Sequence, residues 1–401
     1  LRAIVIRMGG KKFFSFLKER SREIIGAEEL KRKLASRKHL RVKLGVDPTT
    51  PDLHLGHVVP LRVMKAFQDA GHQAVLIIGD FTGRIGDPSG KTTSRRQLTA
   101  AEAKANERTY RTQVGRILDL GRTEVRHNSE WFSRMALEDF LELLAKFPLK
   151  GAWEREDFQT RLSRGKPVQL HEAMYHVLQA YDSVMVGADV ELGALDQRLN
   201  LLAGRELQGK LGRTPQDVVV LPYLMGLDGQ EKMSKTAGNT INLGDAAPDM
   251  FGKVMTIGDE LIVEYARLGA WLPPAAVESL RRRLVAKENP RDVKLDVAEA
   301  IARLYHSASA ARRAREGFLR TFSRRETPRG ALTSAIRPGS YSGLQLVAAL
   351  GGAPSRSAAR RLLAGKAVVV DGSIVKDPHQ KIVLRPGSTI RIGKKKFFRV
   401  R

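Results

Sequence analysis

Two histidines, His54 and His57, flank Gly56 in DPTTPDLHLGHVVP, and two lysines, Lys232 and Lys235, stand three apart in GLDGQEKMSKTAGN. Imidazoles can ligate zinc, exchange protons, pack as flat rings or donate hydrogen bonds to an anion. Zinc helices commonly space their ligands at i and i+4 with a carboxylate partner. Here the spacing is i+3, in a chain with 9 His and no Cys. Packing suits the flanking Leu53 and Leu55 but leaves Gly56 unexplained. A third use fits more of the residues: a ligand lies against the bare glycine while the imidazoles reach an anion beside the positive end of a helix. The lysine loop, with Gly226, Gly229 and Gly238, has matching chemistry, because it can fold over a phosphate chain and bring two ammonium groups to its oxygens. A KxxK pair alone also describes a solvated charge run. The two motifs together point to phosphate.

The elements that must position these groups are legible around them. Val42, Leu44 and Val46 alternate as a strand does, and Pro48 and Pro51 end it. Leu61, Met64 and Phe67 recur at helical spacing, and 74 to 78 is a continuous apolar run, so the stretch reads strand, helix, strand of a parallel sheet. The loop after the first strand then lies at the carboxyl edge, where such sheets bind ligands. Asp52 is placed to cap the helix, and Pro60 falls in its early turns. A charged helix is expected over 21 to 38, further helices over 99 to 118, 136 to 146 and 168 to 181, and a last sheet strand over 218 to 221. From about 245 to 325 the pattern is helical and Arg-rich, and Pro, Gly and Ser cluster near 328 to 342.

Composition bounds the partners. A chain of 401 residues predicts two or three domains. Its 69 Lys and Arg against 43 Asp and Glu give a net charge of +26, which favours a polyanion. Residues 341 to 401 carry 13 Lys and Arg against 2 acidic residues and switch to short strands between glycine turns, the mark of a separate basic domain. The absence of Cys excludes disulfides, thiolate metal sites and cysteine nucleophiles. The opening LRAIVIRMGG lacks a cleavage pattern and no window has the length of a membrane helix, so a cytoplasmic protein with no membrane partner is expected.

HxGH after the first strand of a parallel sheet, with KMSK after the last, resembles the two signatures of the class I aminoacyl-tRNA synthetases. The stretches DPTTPDLHLGH, GDFTGRIGDPSGK, QAYDS, DQRLNLLAGRE and GLDGQEKMSKT, in that order, are similar to those of bacterial tyrosyl-tRNA synthetases. The resemblance runs from about residue 24 to the end. It implies an α/β protein with a Rossmann-like parallel-sheet catalytic domain over 1–225, including an N-terminal helical segment and an inserted dimerisation region. The KMSK loop and an α-helical anticodon-binding domain would cover 226–330, a linker 331–340, and a small α+β RNA-binding domain 341–401.

The activity implied is joining of L-tyrosine to tRNA(Tyr) with ATP, through tyrosyl-adenylate, in a homodimer, with Mg²⁺ carried by the nucleotide and no dedicated protein metal site. By position, His54, His57, Lys232, Lys235 and Lys91 would act on the phosphates. Asp47, Thr49, Gly56, Asp196, Met233 and Ser234 would bind ATP. Tyrosine would meet Asp87, Gln197, Lys43 and the set Tyr175, Gln179 and Asp182, whose spacings of four and three put them on one helix face. In that family Tyr175 and Gln179 approach the ammonium and Asp182 the phenol, so phenylalanine would leave a buried polar group unpaired.

Three departures from the family pattern stand out. Gly193-Ala194-Leu195-Asp196-Gln197 replaces the usual Gly-Gly-Ser/Thr-Asp-Gln, adding a methyl near the ribose and removing a hydroxyl. Lys43 stands where one branch has tyrosine, and is expected to act through charge near Asp182. KMSKT replaces KMSKS, a mild change. The segment SRSAARRLLAGKAVVVDG resembles an RNA-binding module first described in a small-subunit ribosomal protein, and implies Arg356, Arg360 and Arg361 as phosphate contacts. Two other readings share many of these motifs: the tryptophan-specific relative, and a synthetase-derived RNA-binding protein with impaired catalysis.

Overall fold

Short aliphatic runs bounded by Gly, Pro and Asp build a six-stranded sheet in the computed structural model. Its strands are β1 (Glu23–Ile25), β2 (Arg41–Val46), β3 (Gln73–Ile78), β4 (Thr123–His127), β5 (Val190–Ala194) and β6 (Asp217–Leu221), in the order β1-β6-β5-β2-β3-β4. All neighbours are parallel except β1, which runs antiparallel to β6. The structure describes residues 9–36, 39–49, 51–89, 99–322, 332–334, 336–393 and 396–400.

The helix Leu55–Asp69 joins β2 to β3, and the chain continues outward to β4. The helix Arg198–Lys210 joins β5 to β6, on the other side of β2. Connections therefore leave the neighbours β2 and β5 in opposite directions, and a crevice opens beyond their carboxyl ends, at Val46 and Ala194. β2 is covered on both faces: Val42, Lys43 and Leu44 are all buried. Its apolar alternation therefore marks no solvent face, and the lysine within it lies in the interior.

The charged helix expected over 21 to 38 is corrected. Glu23, Ile24 and Ile25 pair with Val220, Val219 and Val218 as an edge strand, and the helix Ala27–Ala35 begins only after Gly26, whose φ is +79°. Edge pairing outweighs helical propensity for this short segment.

Two compact units are present, Leu1–Ala311 and Arg312–Arg401. The first contains both the sheet and the helices that follow 226, among them Ala247–Val254, Pro274–Val285 and Pro290–Tyr305. In the second, β9 (Val368–Val370), β10 (Ser373–Val375), β12 (Thr389–Ile392) and β13 (Lys396–Val400) form one sheet with β7 (Leu332–Ser334), while β8 (Gly339–Ser342) pairs with β11 (Lys381–Leu384). The segment 331–340, expected as a linker, thus supplies β7 and the start of β8. β7 lies parallel to β13 and covers its outer edge. Leu346, Val347, Leu363, Val368, Ile390 and Ile392 form the core of this unit.

Gly26 occupies a left-handed conformation, and a Cβ there would overlap the Asp217 carboxylate, which forms a buried ion pair with Lys33 at 2.9 Å. Gly26→Ala adds backbone strain and displaces that pair. It is expected to cost about 2–4 kcal/mol, read as a shift of the denaturation midpoint; an unchanged midpoint would refute the assignment.

Candidate active site

His54 has an extended backbone, φ −116° and ψ 169°, and is the N-cap of the helix Leu55–Asp69. Asp52, expected in that place, instead points its carboxylate at Lys235, 3.6 Å away. The reason for the correction is that the chain at His54 is held extended against the segment following the lysine loop. Leu55 N donates to Ile241 O at 3.0 Å and Leu243 N to Leu53 O at 2.8 Å, around an antiparallel bridge between His54 and Asn242. The two motifs are thereby joined by backbone hydrogen bonds.

The His54 and His57 rings lie 3.8 Å apart between centroids, and the His54 N–H donates to His57 Nδ1 at 3.3 Å. Burial first, then the nearby His57 and Lys235, push His54 down to about 2. It is therefore a neutral imidazole at physiological pH. Its Nδ1 is buried without a hydrogen-bond partner among the described residues. A Cβ on Gly56 would stand 3.0 Å from the His54 ring and 3.6 Å from the Met233 Cβ. Glycine is what lets the histidine ring and the lysine loop close on the same patch of backbone.

The loop from Leu224 to Ile241 is braced from within. Met225 bridges to Lys232, and Met233 N donates to Leu224 O at 2.9 Å. Asn239 accepts from Ser234 N at 2.8 Å and donates to Asp228 Oδ2 at 2.7 Å. The Ser234 hydroxyl accepts from Ala237 N at 3.2 Å. Lys232 Nζ meets Asp196 Oδ2 at 2.5 Å and lies 4.9 Å from the Tyr223 ring centroid. Both lysines of the motif therefore reach carboxylates of the sheet domain, Lys232 to Asp196 and Lys235 to Asp52. Asp196 belongs to the turn Leu195–Gln197 directly after β5. Leu195 projects 39% exposed, where the resemblance calls for a hydroxyl.

Two hydrogen-bond networks lie beside these motifs. In the first, Tyr175 OH donates to Asp47 Oδ2 at 2.8 Å, Thr82 Oγ1 donates to Asp47 Oδ1 at 2.8 Å, and Asn128 Nδ2 donates to Thr82 Oγ1 at 2.9 Å and Asp182 Oδ2 at 3.3 Å. Trp131 Nε1 donates to Asp182 Oδ1 at 2.9 Å. Burial pushes Asp182 up to about 7, against the lowering effects of the Lys43 charge and these two donors. Asp47, expected on the nucleotide side, braces Tyr175 and Thr82 with its two oxygens. Thr49 N closes the turn by donating to Asp47 O at 2.7 Å.

In the second network, Gln197 Nε2 donates to Asp87 Oδ2 at 2.7 Å, and Asp87 Oδ1 accepts from Ser89 N at 2.9 Å. Asn200 Nδ2 donates to Gln197 Oε1 at 3.0 Å and Gln179 Oε1 at 3.1 Å. Gln179 Nε2 donates to Glu191 Oε1 at 3.2 Å. Lys43, expected to act through charge near Asp182, does lower that carboxyl by its charge, but its ion-pair partner is Glu191, at 2.7 Å, and the lysine is fully buried. The physical reason is register, since Lys43 on β2 lies opposite Glu191 on β5.

Sequence reasoning missed Asn128, Trp131, Glu191, Asn200 and Asn239. One signal was present: 42–45 reads VKLG and 190–193 reads VELG, two apolar strands with opposite charges at the same place. Lys91 lies outside the described residues. Arg356, Arg360 and Arg361 are exposed on the helix Arg356–Ala364, whose Ala359 and Leu363 face the core. Among the described residues, no group of three His, Asp or Glu is arranged to hold a metal ion, and no helix is long and apolar enough to cross a membrane.

Residues 35–323 match the family of tRNA synthetases class I (W and Y), and residues 344–390 match the S4 domain. The chain is 42% identical over 383 residues to the tyrosine–tRNA ligase of Moorella thermoacetica, covering 94% of this chain and 93% of that protein. It is 43% identical over 387 residues to the tyrosine–tRNA ligase of Thermotoga maritima, covering 96% of each. Its fold is similar to that of the Archaeoglobus fulgidus tyrosyl-tRNA synthetase complexed with L-tyrosine, with a TM-score of 0.62 at 21% identity over 76% of this chain and 99% of that one. A tryptophanyl-tRNA synthetase from Plasmodium falciparum shares the fold at 13% identity and a TM-score of 0.58, over 77% of this chain and 88% of that one. A family model spanning most of the chain, and relatives matched almost end to end, place it where its two signature motifs also point: the chain belongs to the tyrosyl-tRNA synthetases of class I.

Proposed function

We propose that this chain activates L-tyrosine with ATP and passes the tyrosyl group to the 3′ end of tRNA(Tyr). The observation that carries the proposal is the closure of the Lys232–Lys235 loop onto the His54–Gly56–His57 floor, in a domain that also holds the buried Asp182 carboxylate. In the first step a tyrosine carboxylate oxygen attacks the α-phosphorus of ATP, the bond to the bridging oxygen breaks, and pyrophosphate leaves. The attacking group is already ionised, so no protein nucleophile or base is required. What the protein must supply is donors where negative charge grows. His54 and His57 are assigned to the α-phosphate, and Lys232 and Lys235 to the departing pyrophosphate. Preorganised donors of this kind are typically worth about 3 kcal/mol each. Lys91 is assigned to the phosphates from its sequence motif alone.

To reach ATP, Lys232 must exchange Asp196 for phosphate, which leaves Asp196 for the ribose. Mg²⁺ would arrive with the nucleotide, neutralising its phosphates. Asp87, Gln179 and Gln197 are assigned to the tyrosine ammonium and Asp182 to the phenol. In the second step the terminal ribose hydroxyl of tRNA attacks the acyl carbon and AMP leaves. The S4 domain, through Arg356, Arg360 and Arg361, would hold the RNA by its phosphates. A homodimer is supported by exposed Leu137, Leu141, Leu149 and Trp153 in the segment before the helix Leu170–Met185. Substrates of this kind suit a cytoplasmic location.

The deciding measurement is amino-acid-dependent ATP–pyrophosphate exchange. Exchange is expected with tyrosine, and exchange with tryptophan alone, or none, would overturn the proposal. In the same assay His57→Ala should slow adenylate formation about 100- to 1,000-fold while changing the KM for tyrosine little; an equal loss in both would refute the phosphate role.

Asp182 has a folded value of about 7 against an ordinary 3.8. Above pH 7 it is ionised and accepts from the phenol; below, it carries its own proton. The kcat/KM for tyrosine is therefore expected to rise as pH rises through about 7. Asp182→Asn should flatten that profile and reduce discrimination against phenylalanine about 10- to 100-fold. A retained profile would exclude Asp182 as its source.

Replacing Arg356, Arg360 and Arg361 together with alanine should weaken tRNA binding and shallow its dependence on salt, with tyrosine-dependent exchange unchanged. Filter binding at several salt concentrations checks this, and an unaltered slope would remove these arginines from the RNA contact.

A further inference from the structure

The ion pair between Lys43 and Glu191 lies at the junction of β2 and β5 with no exposed surface on either residue. Every hydrogen-bonding position of the two groups is used. Lys43 Nζ reaches Glu191 Oε1 at 2.7 Å, Ser183 Oγ at 2.7 Å and Gln179 O at 3.0 Å. Glu191 Oε1 also accepts from Gln179 Nε2, and its Oε2 accepts from Ser183 Oγ at 2.9 Å and from Gln216 Nε2. The helix Arg198–Lys210 makes room with Gly204, where a Cβ would stand 2.6 Å from Gln216 Nε2, 2.9 Å from Ser183 Oγ and 3.2 Å from Glu191 Oε2. A buried pair of this kind adds little net stability over apolar residues of the same size, so its presence calls for another explanation.

The hydrogen bonds run in a defined direction. A carboxylate can only accept, so Glu191 requires the Gln179 amide to turn its NH₂ inward and its oxygen outward. That oxygen accepts from Asn200 Nδ2, which also donates to Gln197 Oε1; the Gln197 NH₂ is then left to donate to Asp87. Asn200 Oδ1 is taken by Arg155 at 3.3 Å, which fixes the Asn200 amide in the same sense. Two acceptor-only groups, Glu191 at the rear and Asp87 at the pocket, thus set the orientation of three amides between them. An amide turned the wrong way would present NH₂ to an ammonium ion.

We infer that Lys43 and Glu191 are positioning residues for the amino-acid site: they fix the amide orientations of Gln179, Asn200 and Gln197 so that the Gln179 oxygen is turned toward the substrate ammonium and Gln197 keeps its NH₂ on Asp87. The inference rests on the proposed tyrosine-activating function. Lys43 acts through Glu191 and Gln179, not by touching substrate.

The test uses tyrosine-dependent ATP–pyrophosphate exchange on the full chain with two variants. Glu191→Gln keeps the shape but can present NH₂ to Gln179 and so releases the amide orientation. The double variant Lys43→Met with Glu191→Met removes both charges at similar volume. Each is expected to raise the KM for tyrosine about tenfold or more, with the KM for ATP and the melting temperature close to those of the parent. Parent-like KM for tyrosine in either folded variant overturns the inference. So does a double variant that fails to fold, or one in which both KM values rise together, since each marks a purely structural pair. If the parent itself shows no exchange with tyrosine, the functional proposal fails instead, and the two failures are read separately.

Discussion

The site depends on the parting of the chain at β2 and β5. These neighbours lie side by side in a parallel sheet, yet one leads through the helix Leu55–Asp69 toward β3 and the other through Arg198–Lys210 toward β6. The loops they emit therefore flank the gap beyond their ends. One emits Asp47 and the histidine motif, the other Asp196 and Gln197. Residues about 140 to 150 positions apart in the chain are thereby brought to a single crevice. The lysine loop then needs only to be fastened to the histidine segment, which the paired backbones of Leu53–Leu55 and Ile241–Leu243 accomplish.

Polar groups inside the sheet domain are costly unless they are paired, and the sequence meets that cost in different ways at different places. Around Lys43 and Glu191 the pairing is complete, and Gly204 gives it room. Around Asp182 it is partial: two donors are supplied, and burial still drives the carboxyl toward its protonated form. His54 goes further, with a buried nitrogen for which the described protein offers no partner. A polar atom already satisfied by protein has little to offer a substrate, and His54 Nδ1 is one that is not.

Much of this was legible from residue order. The HxGH and KMSK motifs, and the run of strand, helix and strand between 42 and 78, mark the two segments that the structure brings together at the ends of β2 and β5. Helical spacing put Tyr175, Gln179 and Asp182 on one face, and all three do face inward. Their partners were not legible, because hydrogen bonds such as Tyr175 to Asp47 or Asn200 to Gln179 follow from tertiary approach and leave no local pattern. Capping shows the same limit. Asp52 is the better capping residue by type, but pairing with Asn242 extends the chain through His54 and moves the helix start. The strand at Glu23–Ile25 exists only because β6 offers it an open edge.

The backbone bonds that tie Leu53–Leu55 to Ile241–Leu243 also set where the lysine loop ends against the histidine segment. Within the loop Met233 bonds back to Leu224, and at its far root Ile241 is bonded by Leu55. The chain between those bonds sets Lys232 against Asp196 and Lys235 against Asp52. The length of the loop is therefore constrained. Adding or removing a single residue between the roots would leave both signatures intact in the sequence and yet bring the ammonium groups down in the wrong place.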